Sequence, residues 1–199
     1  MVRSAQQTKL FDVPATLPSG FVYRPDFLTR GEEAELIGYI EDLPLRYSMN
    51  KEGRVAKRRI MHFGWSYDFD AGKLIPGPAL PSWLTLCARK IAKWLDIPAH
   101  CVVEALITEY PEGSAIGWHR DNESFDSIVG ISLGSWCRLR LRPLRSRIKR
   151  ERMGTDVIGL DIEPRSAYLM QNDSRWLCQH SIPPVTALRY SITFRTLPK

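Results

Sequence analysis

The sequence predicts an α+β protein in which two helices support a core of short β-strands. Two amphipathic stretches lie before residue 100, and β-rich runs separated by Gly, Pro, Asn or Asp follow it. That spacing belongs to an antiparallel sandwich or barrel. No internal repeat or linker divides the 199 residues. One domain is therefore expected over 19–199, preceded by a polar, aperiodic, flexible arm at 1–18.

In chain order, the first helix is expected within "TRGEEAELIGYIEDLP". Thr29 and Glu32 form a capping box, Ile37, Ile40 and Leu43 line one face, and Pro44 ends it. The aromatic and β-branched run "RRIMHFGWSYDF" reads as a strand leaving a basic patch, and "GKLIPGPALP" as a Gly/Pro loop. A second helix follows in "PSWLTLCARKIAKWLDIP", with Leu84, Ala88, Ile91 and Leu95 as its apolar face and Pro98 beyond its end. Strands are then expected in "VVEALITEY", "SIVGISLG", "WCRLRLRP", "DVIGLDI", "SAYLM" and "RYSITFR".

Apolar residues make up 44% of the chain and charged residues 25%, an ordinary globular balance. No apolar run approaches the roughly 20 residues that span a bilayer. The N-terminus, "MVRSAQQTKLFDV", lacks the apolar core of a signal peptide, so a cytoplasmic address and no membrane partner are expected. Cys87, Cys101, Cys137 and Cys178 form no C-x-x-C pair. The first three read as buried reduced thiols; Cys178, two residues before His180, is the one placed near candidate chemistry.

The net charge of +6 is concentrated. Residues 138–152, "RLRLRPLRSRIKRER", carry seven Arg and one Lys against one Glu, and "KEGRVAKRR" at 51–59 carries five more basic residues. Such runs also occur as solvated faces, but two of them point to a polyanion, with nucleic acid the obvious partner. Arg58, Arg138, Arg140, Arg145, Arg147 and Lys149 are the candidates for phosphate contact. In "RLRLR" the alternation turns Leu139 and Leu141 inward and the arginines outward, which suits a backbone rather than catalysis.

The stretch "IGWHRDNES" holds His119 and Asp121 two residues apart, so on a strand both side chains face one ion. A third ligand is needed. His100 reads as a solvated turn residue and His62 lies in an early strand. His180 lies on a later strand that a closed barrel can bring opposite the first. His, Asp and His form the facial triad of non-haem Fe(II) oxygenases. In "LRYSITFRT", Arg189, Ser191, Thr193 and Arg195 share one face and Tyr190, Ile192 and Phe194 the other. The cationic face is either exposed to water or turned inward toward an anion such as a dicarboxylate.

From about residue 20 to 197 the chain resembles the AlkB-type 2-oxoglutarate- and Fe(II)-dependent dioxygenases. The matching pieces, in family order, are "HFGW", "TEYPEGSAIGWHRD", "IVGISLG", "SRWLCQHSI" and "RYSITFR". The resemblance implies a double-stranded β-helix (jelly-roll) core with supporting N-terminal helices, and a monomer. It implies Fe(II), 2-oxoglutarate and O2, with His119, Asp121 and His180 as iron ligands. Arg189 matches the partner of the far carboxylate of 2-oxoglutarate, Tyr110 a hydrogen-bonding tyrosine, and Arg195 an arginine near the metal end. Thr108 and Ser191 stand where the family often has the longer Asn, and the gap from His180 to Arg189 is short.

The implied reaction is oxidation of an N-methyl group on a base, with 2-oxoglutarate converted to succinate and CO2 and formaldehyde released. A base must leave its stack to reach such a centre. Trp65 then serves either as a stacking wall or in packing, with Tyr67 close by. Glu123 either accepts from an exocyclic amine or is a solvated loop carboxylate. The main expectation is repair of alkylated DNA, with RNA also possible. The alternatives are modification of transfer RNA bases, or a nucleic-acid-binding module with little catalysis.

Overall fold

The computed structural model describes residues 17–49, 55–68, 71–144 and 157–198. Nearly all of the expected N-terminal arm, and Arg145, Arg147 and Lys149, lie outside the described residues.

Strand β1 (Phe21–Arg24) precedes helix α1 (Arg30–Glu41). The expected capping box is formed: Glu32 N donates to Thr29 Oγ1 at 3.2 Å and Thr29 N to Glu32 Oε2 at 2.7 Å. Strands β2 (Arg46–Met49), β3 (Val55–Asp68) and β4 (Lys73–Pro76) follow, then helix α2 (Ser82–Leu95). The expected Gly/Pro loop is thus strand at its start: β4 pairs with β3 from Trp65↔Pro76 to Asp68↔Lys73. Pro76 sits at the strand's end, where its missing N–H costs the ladder least.

Eight more strands follow among the described residues. They are β5 (Val102–Tyr110), β6 (Ile116–His119), β7 (Ile128–Gly134), β8 (Cys137–Pro143), β9 (Ile158–Ile162) and β10 (Ala167–Met170). The short helix α3 (Asn172–Trp176) then leads into β11 (Cys178–Ile182) and β12 (Arg189–Thr196). The larger sheet runs β1-β10-β7-β12-β5-β3-β2, with β4 beside β3, and the smaller runs β6-β11-β8-β9. All the pairings are antiparallel. The architecture is an α+β jelly roll.

Each sheet face has a distinct task. One face of the larger sheet, through Ala105, Ile107, Ile131, Leu133, Ile192 and Phe194, packs on Leu36 and Ile40 of α1 and Leu84, Ala88 and Ile91 of α2. Expected face residues Ile37, Leu43 and Leu95 lie only part-buried at that core's edge. The other face meets the smaller sheet through Ile128, Tyr168, Met170, Leu139, Leu141, Ile162 and Ile182. Leu139 and Leu141 therefore point inward as their alternation predicts. Among the described residues no helix is long and apolar enough to cross a membrane.

Candidate metal and cosubstrate site

The two sheets enclose a cavity of about 240 Å³. The polar floor follows from strand register. On β12, Arg189, Ser191, Thr193 and Arg195 all line the cavity. They pair across β5 with Tyr110, Thr108, Leu106 and Glu104, which line it too. The cationic face of the last strand is therefore the inward one.

At one end the triad converges. One nitrogen or oxygen from each of His119, Asp121 and His180 lies within 4.8 Å of the others. His180 pairs with His119 across β11 and β6, which brings the rings to 4.1 Å between centroids. His119 Nδ1 donates to Gly117 O at 2.9 Å, leaving Nε2 for a metal. Strand β6 ends at His119, so Asp121 is presented by the following loop and not, as expected, by the strand itself. Burial pulls the His180 imidazolium down to about 3, and the neighbouring His119 adds to the effect, so His180 is the neutral ring a metal requires.

Burial opposes the charge on Asp121, but the Arg195 guanidinium bonded to it outweighs that and holds the carboxyl below its usual range. Arg195 Nε donates to Asp121 Oδ1 at 3.0 Å, its Nη2 donates to the same oxygen, and its Nη1 reaches Glu104 Oε2 at 2.9 Å. Glu104 in turn hydrogen-bonds His62 Nδ1 at 2.7 Å. The loop carrying Asp121 is clamped from α3. The buried Arg175 donates to the carbonyls of Asn122 and Phe125 at 2.7 Å and of Asp126 at 2.9 Å.

At the other end Arg189 is fully buried. Its Nε donates to Ser132 Oγ at 3.1 Å, and its guanidinium lies 5.0 Å from the Tyr110 ring. Its Nη1 and Nη2 have no hydrogen-bond partner among the described residues. A buried guanidinium with two idle nitrogens calls for a carboxylate. Neutral imidazole, carboxylate, imidazole and a facing arginine are the donor set that iron and a 2-oxo dicarboxylate need. The residues fit both groups.

Residues 20–195 match the 2OG-Fe(II) oxygenase superfamily. The chain belongs to that superfamily and is of the AlkB type. Residues 20–195 thus form a 2OG-Fe(II) oxygenase domain, and His119, Asp121 and His180 are the residues in it that could hold the metal. The chain is 26% identical over 174 residues to the tRNA (carboxymethyluridine(34)-5-O)-methyltransferase ALKBH8 of Macaca fascicularis, matching 85% of this chain and 25% of that protein. It is 28% identical over 142 residues to the DNA oxidative demethylase ALKBH2 of Mus musculus, over 67% of this chain and 58% of that one. The chain thus spans about a quarter of the methyltransferase's length. The solved structure of OsALKBH1 superposes with a TM-score of 0.70 at 15% identity, covering 90% of this chain and 97% of that one.

The other expected residues are not all brought to the cavity. Tyr67 lines it, whereas Trp65, on the same strand face two residues earlier, stands 41% exposed outside the lining. Glu123, 69% exposed, pairs instead with Arg120 at 2.9 Å and does not line the cavity. Arg138 pairs with Asp161 on the outer side of the smaller sheet. Arg140 and Arg142 set their guanidinium groups 5.0 and 4.3 Å from the Trp118 ring. Arg58, expected at a phosphate backbone, lines the cavity.

Cys178 is buried outside the cavity lining, and burial raises its thiol to about 11, so it is an inert core thiol and not chemistry. Cys101 is only part-buried, unlike its expected state. Sequence reasoning missed Glu104, Ser132 and Arg175, and it passed over His62, which here bonds Glu104. The inward parity of Ser132 in "IVGISLG" and of Glu104 in "VVEALITEY" was the signal available for two of them.

Proposed function

We propose that this dioxygenase oxidatively removes alkyl groups from the nitrogens of nucleic-acid bases, repairing alkylation damage in DNA and in RNA. The observation that carries the reading is one cavity holding both the triad and a buried arginine with two idle nitrogens. The substrate class is supported by the net charge of +6 and by relatives whose names place their action on transfer RNA and on DNA.

His119, Asp121 and His180 would hold the iron, which together with 2-oxoglutarate and O2 would supply the oxidation of a substrate C–H bond. Arg189 and Tyr110 take the far carboxylate. Thr108 and Ser191 pair across β5 and β12 and offer short hydroxyls to the cosubstrate chain, while Ser132, beside Ser191 on β7, holds Arg189 in place. Arg195 fixes one Asp121 oxygen and leaves the other for the metal. Ile116, Phe125, Ile128, Met170 and Ile182 keep water from the reacting groups. A flipped base enters between His119 and the Trp65–Tyr67 edge of β3, and Glu123 stays on the rim. Arg140 and Arg142, and beyond them Arg138, face the phosphates.

Mass spectrometry on a single-stranded oligonucleotide carrying 1-methyladenine or 3-methylcytosine tests this. Methyl loss is expected only with Fe(II), 2-oxoglutarate and ascorbate all present. An untouched oligonucleotide alongside slow succinate release would overturn it. The likeness to ALKBH8 supports the second reading, transfer RNA base modification, and transfer RNA is then the next substrate to test.

A further inference from the structure

We propose that Arg58 is a second cation for the far carboxylate of 2-oxoglutarate, so that Arg58 and Arg189 form a two-arginine clasp across Tyr110. The inference rests on the reading of Arg189 as the cosubstrate's partner. Register places the three residues in one row: Arg59↔Glu109 sets Arg58 opposite Tyr110, and Tyr110 pairs with Arg189. The guanidinium carbons lie 5.9 Å and 5.0 Å from the Tyr110 ring centroid. Arg58 lines the same cavity, and its Nε is buried without a hydrogen-bond partner among the described residues.

Charge points the same way. The carboxylates lining the cavity are Glu104 and Asp121, and both bond to Arg195 at the metal end. Glu109, the nearest acid in sequence to Tyr110, is held in a two-bond pair by Arg59 at 2.7 and 2.6 Å. The opposite end of the cavity therefore carries two guanidinium groups and no lining carboxylate. A carboxylate has about four lone-pair sites, enough for Arg189, the Tyr110 hydroxyl and Arg58 together. Adjacent strands stand about 4.8 Å apart, so the two long side chains, separated by one strand, can meet above Tyr110. Thr108 and Ser191 offer only short hydroxyls one row along, and a second arginine replaces the reach they lack.

The test is calorimetric titration of the full chain, loaded with Mn(II) without oxygen, against 2-oxoglutarate and against oxalate. Oxalate chelates the metal but has no far carboxylate. Arg58→Met is expected to weaken 2-oxoglutarate about tenfold or more, the scale of a lost hydrogen bond to a charged group, with oxalate unchanged. Arg58→Lys, which keeps the charge and guards against misfolding, should bind 2-oxoglutarate more tightly than Arg58→Met. Equal losses for both ligands would assign Arg58 a structural role and overturn the clasp. So would unchanged 2-oxoglutarate affinity with weaker oligonucleotide binding, which would make Arg58 a phosphate contact. Arg189→Met separates the two levels: if it too leaves 2-oxoglutarate affinity intact, the underlying cosubstrate reading fails, not only the clasp.

Discussion

Single side chains decide the chemistry here, and each has a measurable consequence. His180→Ala leaves a His and an Asp, too few ligands for a stable site. Mn(II) affinity should fall more than about a hundredfold, beyond the range seen when only outer partners are lost. An unaltered circular dichroism spectrum would show that the fold survives, and retained metal affinity would mean that another residue is the third ligand. Arg175 touches no metal, but it ties down the carbonyls around Asp121. Arg175→Met should cost roughly 10- to 100-fold in metal affinity through a loosened loop. Those carbonyls belong to a loop 49 to 53 residues away in the chain, so Arg175's role could not be read from local sequence.

At the scale of elements, backbone geometry places side chains that alternation alone misassigns. Strict alternation would put His62 and Tyr67, five residues apart, on opposite faces of β3, yet both line the cavity. Gly64 lies between them with a φ of 78°, and an added Cβ would sit 2.1 Å from Val103 O. Gly64→Ala is therefore expected to lower the melting temperature and displace Tyr67, detectable as altered oligonucleotide affinity. Leu141 is buried between the sheets behind the metal strands. Leu141→Ala should cost about 2–5 kcal/mol, and at about 2–4 °C per kcal/mol for this size, thermal unfolding reads it directly. The start of the first helix was legible because a capping box is local chemistry, whereas Leu43, expected on its face, lies past its end at Glu41. Strand β4 was not legible, because Gly and Pro around it mask a segment stabilised by pairing with β3.

For the whole molecule, closure of the two sheets turns weak local signals into one site. Ligands that bind only the closed form should stabilise it, so Mn(II) with 2-oxoglutarate is expected to raise the melting temperature of the native protein but not of His180→Ala. The outer face of the smaller sheet carries Arg140 and Arg142 against Trp118. Changing both arginines to Ala should reduce the slope of log affinity against log salt for an oligonucleotide by about 2. An unchanged slope would take this face off the nucleic-acid path.

The sequence by itself determined the composition of the site. The H-x-D pair, the later His and the alternating arginine strand are local patterns whose spacing a strand enforces, and they carried the family resemblance. Only the tertiary structure decided which face of "RYSITFR" is inward, that Asp121 comes from a loop, and that Arg58 lines the same cavity as Arg189. Those outcomes depend on register between strands distant in the chain. Register is set by burying both sheet faces at once, and no single segment contains that information.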